Sequence, residues 1–157
     1  MTSGDPIPPA PIESNALGPA TTSVARKLTS AEIEAANRAD ATALLIRAGY
    51  SVYRPEADVR GEDLILRTPV SLLRPVQLKG RPSVEWERYG GRGIWMLFPD
   101  PWGTPGACDW FLVEHDTLYA WVKDRHGTSP KWEKAWSYSY VSRPLAAFLE
   151  PFSHRHW

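Results

Sequence analysis

With a single cysteine, Cys108, among 157 residues, the chain can form no internal disulfide. It has no surplus of charge either: 18 Lys and Arg residues cancel 18 Asp and Glu. That balance excludes a protein whose whole surface attracts nucleic acid, so any affinity for phosphate must be local. No apolar run approaches the roughly 20 residues that cross a bilayer, and the first residues contain no signal-peptide core. These absences predict a soluble, cytoplasmic protein without a membrane partner. No phosphate-cradling glycine loop, dinucleotide fingerprint or internal repeat is visible. His154 and His156 lack the further Cys or His partners of a zinc site. His115, Asp116 and His126 make no nucleophilic triad with any evident serine or with Cys108.

Tryptophan, by contrast, is plentiful: eight residues, most of which are expected to fill the core. Length alone predicts one domain with one well-buried core. Pro6, Pro8, Pro9, Pro11 and Pro19, set among Ser, Thr and Ala, give residues 1–28 little to bury and no period. They are expected to be a disordered tail, followed by one domain over 29–152 and a short C-terminal tail over 153–157.

Local signals then order the domain. Thr29-Ser30-Ala31-Glu32 fits a capping box, and good helix formers run from there to Ala48, with Gly49 placed to end the helix. Its apolar stripe is Ile33, Ala41, Leu44, Leu45 and Ala48; Glu34 and Asn37 lie on or beside it, and Arg38 and Asp40 flank it. Tyr50–Arg54 reads as a short strand stopped by Pro55. A second strand starts at Asp63, Thr68–Leu72 turns the chain, and a third runs from Arg74 to Lys79. Ser83 is expected to cap one or two helical turns through Tyr89. Ile94–Phe98 reads as a strand buried on both faces, and Asp109–Glu114 as another. Periodicity leaves Thr117–Val122 open between strand and helix. The Trp-rich stretch up to Tyr140 reads as irregular, and Arg143–Glu150 as a last helix capped by Ser142. This order predicts an α/β or α+β sheet domain.

The densest chemistry lies between Gly61 and Gly80. Residues two apart on a strand share a face, so Gln77 and Lys79 point one way and Leu78 the other. Paired as a hairpin, the second and third strands would bring the Asp63 carboxylate beside that amide and that amine, a cluster suited to a divalent metal and a phosphate. The alternative is an ordinary cross-strand ion pair between Asp63 and Lys79.

Several short segments together resemble the PD-(D/E)XK nuclease superfamily: Gly49-Tyr50 after the helix, Tyr53-Arg54-Pro55, Gly61-Glu62-Asp63-Leu64-Ile65 and Val76-Gln77-Leu78-Lys79-Gly80. The closest likeness is to its branch with Gln-x-Lys in place of (Asp/Glu)-x-Lys. The resemblance covers about Glu32 to Gly80 and continues as a general strand pattern to Glu114. It implies a restriction-endonuclease-like fold, a mixed central β-sheet flanked by helices in the order αβββ, then further strands and a C-terminal helix. It also implies a metal-dependent DNA endonuclease using Mg²⁺ or Mn²⁺. Asp63 would be the main metal ligand, helped by the Gln77 amide oxygen and the Leu78 carbonyl, and Lys79 would orient the attacking water and stabilise phosphate charge. A homodimer is compatible, since many enzymes that cut both strands act in pairs.

The chain departs from that pattern in one place. The glutamate usual on the first helix falls near Asn37 or Arg38, so Glu34 or Asp40 would have to substitute. This keeps open an inactive nuclease-fold module that binds nucleic acid or a protein partner, and also a partner-binding protein with no nucleic-acid role. Arg74, Arg81, Arg88 and Arg92 surround Lys79 in sequence and are candidates for phosphate contacts, diluted by Glu85 and Glu87. Trp102, in a loop, is the candidate base-stacking residue.

Overall fold

A computed structural model describes residues 26–57 and 60–157; most of the expected N-terminal tail lies outside the described residues. Helix α1 spans Ser30–Arg47. Its capping box is complete, with the Thr29 hydroxyl accepting from the Glu32 N–H and the Glu32 carboxylate accepting from the Thr29 N–H. Gly49 closes the helix at φ +89°, a conformation glycine adopts without strain. Strands β1 (Ser51–Tyr53), β2 (Leu64–Arg67) and β3 (Leu73–Leu78) follow as an antiparallel meander.

β4 (Ser83–Glu85) and the one-turn helix α2 (Trp86–Tyr89) then carry the chain over one face of the sheet. That crossover lets β5 (Trp95–Pro99) pair parallel to β3, as a parallel neighbour requires. β6 (Trp110–Glu114) returns antiparallel to β5, giving a mixed five-stranded sheet in the order β1-β2-β3-β5-β6. Helix α3 (His115–His126), strand β7 (Ala135–Ser137) and helix α4 (Arg143–Leu149) complete the α+β fold.

Strand alternation divides the core in two. Leu64, Leu66, Val76, Leu78, Leu97 and Leu112 face α1, where Ala41 and Leu45 meet them with no exposure. Met96, Phe98, Phe111 and Val113 face the other way, under Tyr89 of α2, Leu118 and Val122 of α3, and Leu145 and Leu149 of α4. Only the second half of the α1 stripe is buried. Ile33 remains 48% exposed, because the first turns of the helix overhang the sheet.

Three expectations need correction. Ser83 does not cap a helix: Ser83–Glu85 is a strand paired with β7, and the helical turn begins only at Trp86. The Trp-rich segment is therefore not wholly irregular, since it contains that partner strand; three-residue strands carry almost no periodic signal of their own. The C-terminal residues also pack rather than fray. Ser153 bridges Phe111, the Trp110 N–H donates to His154 Nδ1, and Trp157 rests on the α1-side core. The open choice at Thr117–Val122 resolves as helix α3. Among the described residues no helix is long and apolar enough to cross a membrane.

Candidate active site

β3 outruns β2, and the site forms where the ladder stops. The Asp63 N–H, just before β2, donates to the Val76 carbonyl of β3 at 2.8 Å. On β3 the Lys79 N–H turns toward β5 and meets the Leu97 carbonyl at 2.9 Å. Successive N–H groups alternate sides, so the Leu78 N–H faces the gap that β2 has vacated. There the Asp63 side chain takes over from the backbone, accepting the Leu78 N–H on Oδ2 at 2.9 Å. A buried donor that would otherwise be orphaned is thereby satisfied.

Gln77, 7% exposed, lies beside this carboxylate. Its Nε2 donates to Asp63 Oδ2 at 2.5 Å and to the Leu78 carbonyl at 3.2 Å. Its Oε1 is buried and has no hydrogen-bond partner among the described residues. The amide NH₂ thus occupies a point on which a carboxylate oxygen and a carbonyl oxygen converge. An unsatisfied buried acceptor costs about 1–3 kcal/mol, so the Gln77 amide is held in this orientation at a cost.

Lys79, half-buried, holds its amine 5.2 Å from the centre of the Tyr89 ring, within cation–π range. Tyr89 is 1% exposed and approaches the backbone at Gly61. Gly61 has φ +91°, and a Cβ there would lie 3.0 Å from Tyr89 Cε1, so both backbone and packing require glycine. Lys79 opens on two clefts. One, of about 340 Å³, lies between Leu78-Lys79-Gly80 and the overhanging turns of α1, including Ile33, Glu34 and Asn37. The other, of about 310 Å³, is bounded by Ser83 and Glu85 of β4 and by Trp136 and Ser137 of β7.

The structure therefore gathers Asp63, Gln77, Leu78 and Lys79, and sets Asn37 and Glu34 across a cleft from Lys79. The Glu34 carboxylate is taken up by Arg38 at 2.6 Å. Asp40 lies elsewhere: burial, and after it the surrounding carboxylates Asp100, Asp40 and Asp109, push the Cys108 thiol up. The arginines scatter. Arg74 sits 4.0 Å over the Trp95 ring on the α1 side of the sheet, Arg88 lies 5.3 Å from the Tyr89 ring, and Arg81 is exposed beyond β3. Arg92 borders a separate cleft of about 590 Å³ with Arg60 and Glu62. Trp102 is 76% exposed and packs on Tyr140 at 5.2 Å between ring centres.

Two residues near the site, Glu85 and His115, were weighed in the sequence and given no role there. Glu85 shares the second cleft with Lys79, where alternation on β4 turns Val84 into the core and Glu85 outward. Its N–H donates to Nε2 of His115 at 3.1 Å. His115 has no exposure, and its Nδ1 lies 2.9 Å from Asp116 Oδ1. Because Nε2 accepts, the ring proton belongs on Nδ1, which donates to Asp116. Burial outweighs the Asp116 and Glu85 charges and holds the His115 pKa below its ordinary value. The adjacency of His115 and Asp116 at the start of a helix was the available clue; the partner on β4 was not visible.

Among the described residues no group of three or more His, Cys, Asp and Glu side chains is placed to hold a metal ion. The donors at this site are one carboxylate, one amide and one carbonyl. Comparison with family models, curated proteins and solved structures gives no match to this chain.

Proposed function

We propose that this chain is a metal-dependent endonuclease-like protein that hydrolyses phosphodiester bonds in DNA, of the PD-(D/E)XK nuclease type that its Gln-x-Lys segment resembles. The observation that carries the reading is the Gln77 NH₂ group held between the Asp63 carboxylate and the Leu78 carbonyl while Gln77 Oε1 stays buried and unpaired. Turned about its last torsion, the amide would set Oε1 beside the Asp63 carboxylate and the Leu78 carbonyl, and a cation held among these oxygens would favour that orientation. The donor set fits Mg²⁺ or Mn²⁺, since hard cations take oxygen ligands and Mg²⁺ often uses one or two carboxylates, with water and phosphate filling the rest. Asp63, Gln77 and Leu78 would hold the metal, which supplies charge neutralisation at the phosphate and a lowered pKa for bound water.

The remaining work falls to side chains of the chain itself. The Lys79 ammonium carries three donors and no acceptor, which suits it to orient a water or to stabilise the charge developing on phosphate oxygens. The Tyr89 ring keeps that amine in place. As water attacks phosphorus the P–O bond to the departing strand breaks, and the Lys79 position beside an open cleft leaves room for both. The reading also carries a cytoplasmic location, supported by the lone cysteine, and a homodimer wherever both strands are cut.

The test is nicking of supercoiled DNA with Mg²⁺ or Mn²⁺, abolished by Lys79→Ala while the melting temperature stays put. A folded wild-type protein that cuts no form of DNA with either metal overturns the reading. A second reading, a nuclease-fold module that binds without cutting, is favoured by the first helix: Asn37 faces the cleft, and Glu34 is neutralised by Arg38. Salt-sensitive DNA binding with no metal-dependent cleavage identifies it.

A further inference from the structure

The Lys79 cleft does not end at β7. Trp136 and Ser137 wall it on one side and, on the other, wall a further cleft of about 390 Å³. That second cleft is aromatic. His126 stacks on Trp136 at 4.1 Å with 10° between the rings, and its Nε2 lies 2.9 Å from the Tyr138 hydroxyl. Tyr140, 47% exposed, stands at its rim against the still more exposed Trp102. An aromatic surface therefore runs from the candidate catalytic lysine to the loop tryptophan.

The two clefts differ in charge, since Glu85 borders the one at Lys79. Overall the chain is neutral, yet among the described residues no carboxylate lines the second cleft; its charged group is the Arg125 guanidinium, stacked 3.8 Å over Trp121 and 3.9 Å from the exposed Asp124 carboxylate. The hydroxyls of Ser137, Ser139 and Tyr138 supply uncharged donors beside it. A cleft lined by a cation, hydroxyls and exposed ring faces matches a polyanion whose flat groups are free to stack. A duplex hides its bases from such rings, whereas a single strand offers every base face.

We infer that the groove from Lys79 past Trp136 to Tyr140 and Trp102 is a track for single-stranded DNA, with bases on Tyr140 and Trp102 and phosphates near Arg125. The track rests on the nuclease reading only in taking Lys79 as the end at which the phosphate is processed.

The experiment measures binding without cleavage: fluorescence anisotropy of a labelled oligo-dT, its duplex with oligo-dA and the matching RNA strand, with EDTA present. The single DNA strand is expected to bind at least about tenfold tighter than the duplex. Trp102→Ala and Tyr140→Ala should each weaken it about fivefold or more, the range for losing one stacked base. Arg125→Gln should lower the salt slope by about 0.7, the contribution of one phosphate contact on a single strand. Both aromatic residues are surface-exposed, so circular dichroism should report unchanged folding in these variants. Equal affinity for duplex, tighter binding of RNA, or wild-type affinity in both aromatic variants overturns the track. Metal-dependent nicking with no preference for the single strand sinks the track and leaves the catalytic reading standing. Strand binding lost in the variants, with no cutting by the wild type, does the reverse.

Discussion

The two faces of the central sheet are built from different materials. The face under α1 is mostly aliphatic: six Leu and Val side chains from the strands, with the buried Trp110 among them, are closed over by Ala41 and Leu45. The opposite face is richer in aromatic rings: Phe98 and Phe111 pack on each other, and Tyr89 and Tyr119 flank the buried His115. At one corner of it the apolar cover gives way to Asp63, Gln77 and Lys79. A closed apolar layer of this kind supports the fold. The other layer keeps polar groups at its margin, and what they gain in chemistry they lose in satisfied hydrogen bonds, as the orphaned Gln77 Oε1 and Tyr89 hydroxyl both show.

If this division holds, substitutions on the two faces should fail in different ways. The largest expected effect on stability is Leu45→Ala under the α1 layer, a loss of about 2–5 kcal/mol in chemical denaturation. Per folded molecule, its DNA cleavage should match wild type. Lys79→Ala should reverse that pattern: a thermal melt close to wild type and a cleavage rate lower by about 100- to 1000-fold, as expected for removing a donor aimed at developing charge. A melt that collapses in this variant would make Lys79 a packing residue and erase the contrast.

Gln77→Glu sharpens the comparison within the site. Without metal the new carboxylate faces the Asp63 oxygens that Nε2 now contacts at 2.5 Å, and loss of that bond should cost about 1–3 kcal/mol. With Mn²⁺ present the variant should recover, and its melting temperature should rise more than that of wild type. Equal melts with and without metal, in both proteins, would count against a cation at this point.

The smallest effect concerns His115. Burial depresses its folded-state pKa below the unfolded value of roughly 6.5. The neutral form is thus favoured in the folded protein, and the stability it contributes is present above the unfolded pKa. As pH falls below that value the unfolded chain takes up the proton first, and stability declines until the folded-state pKa is reached. Melts across this window should show the slope in wild type and lose it in His115→Gln.

Much of this was legible because it is local. The capping box at Thr29 and Glu32, the stop at Gly49 and the hairpin around Thr68–Leu72 follow from short-range hydrogen bonding and turn chemistry. Other features were hidden for identifiable reasons. β4 becomes a strand through β7, which lies far along the chain, and neither has length enough to announce itself. The arginines look clustered in sequence, yet strand alternation and an intervening helix send Arg74 and Arg92 to opposite sides of the sheet. The C-terminal histidines look like a loose end until Trp110 and Phe111 supply a place to dock.

The amino-acid order by itself determined that Asp63 and Gln77 would meet at the end of a hairpin and that Lys79 would follow on the same face, because alternation is a property of the backbone at each residue. Only the tertiary structure decided what surrounds them: Tyr89 under the amine, Glu85 held by His115 across the cleft, and the aromatic groove beyond β7. Those neighbours come from segments distant in the chain. Their meeting depends on which surfaces bury best against one another, a free energy that belongs to the assembled fold and to no short stretch of it.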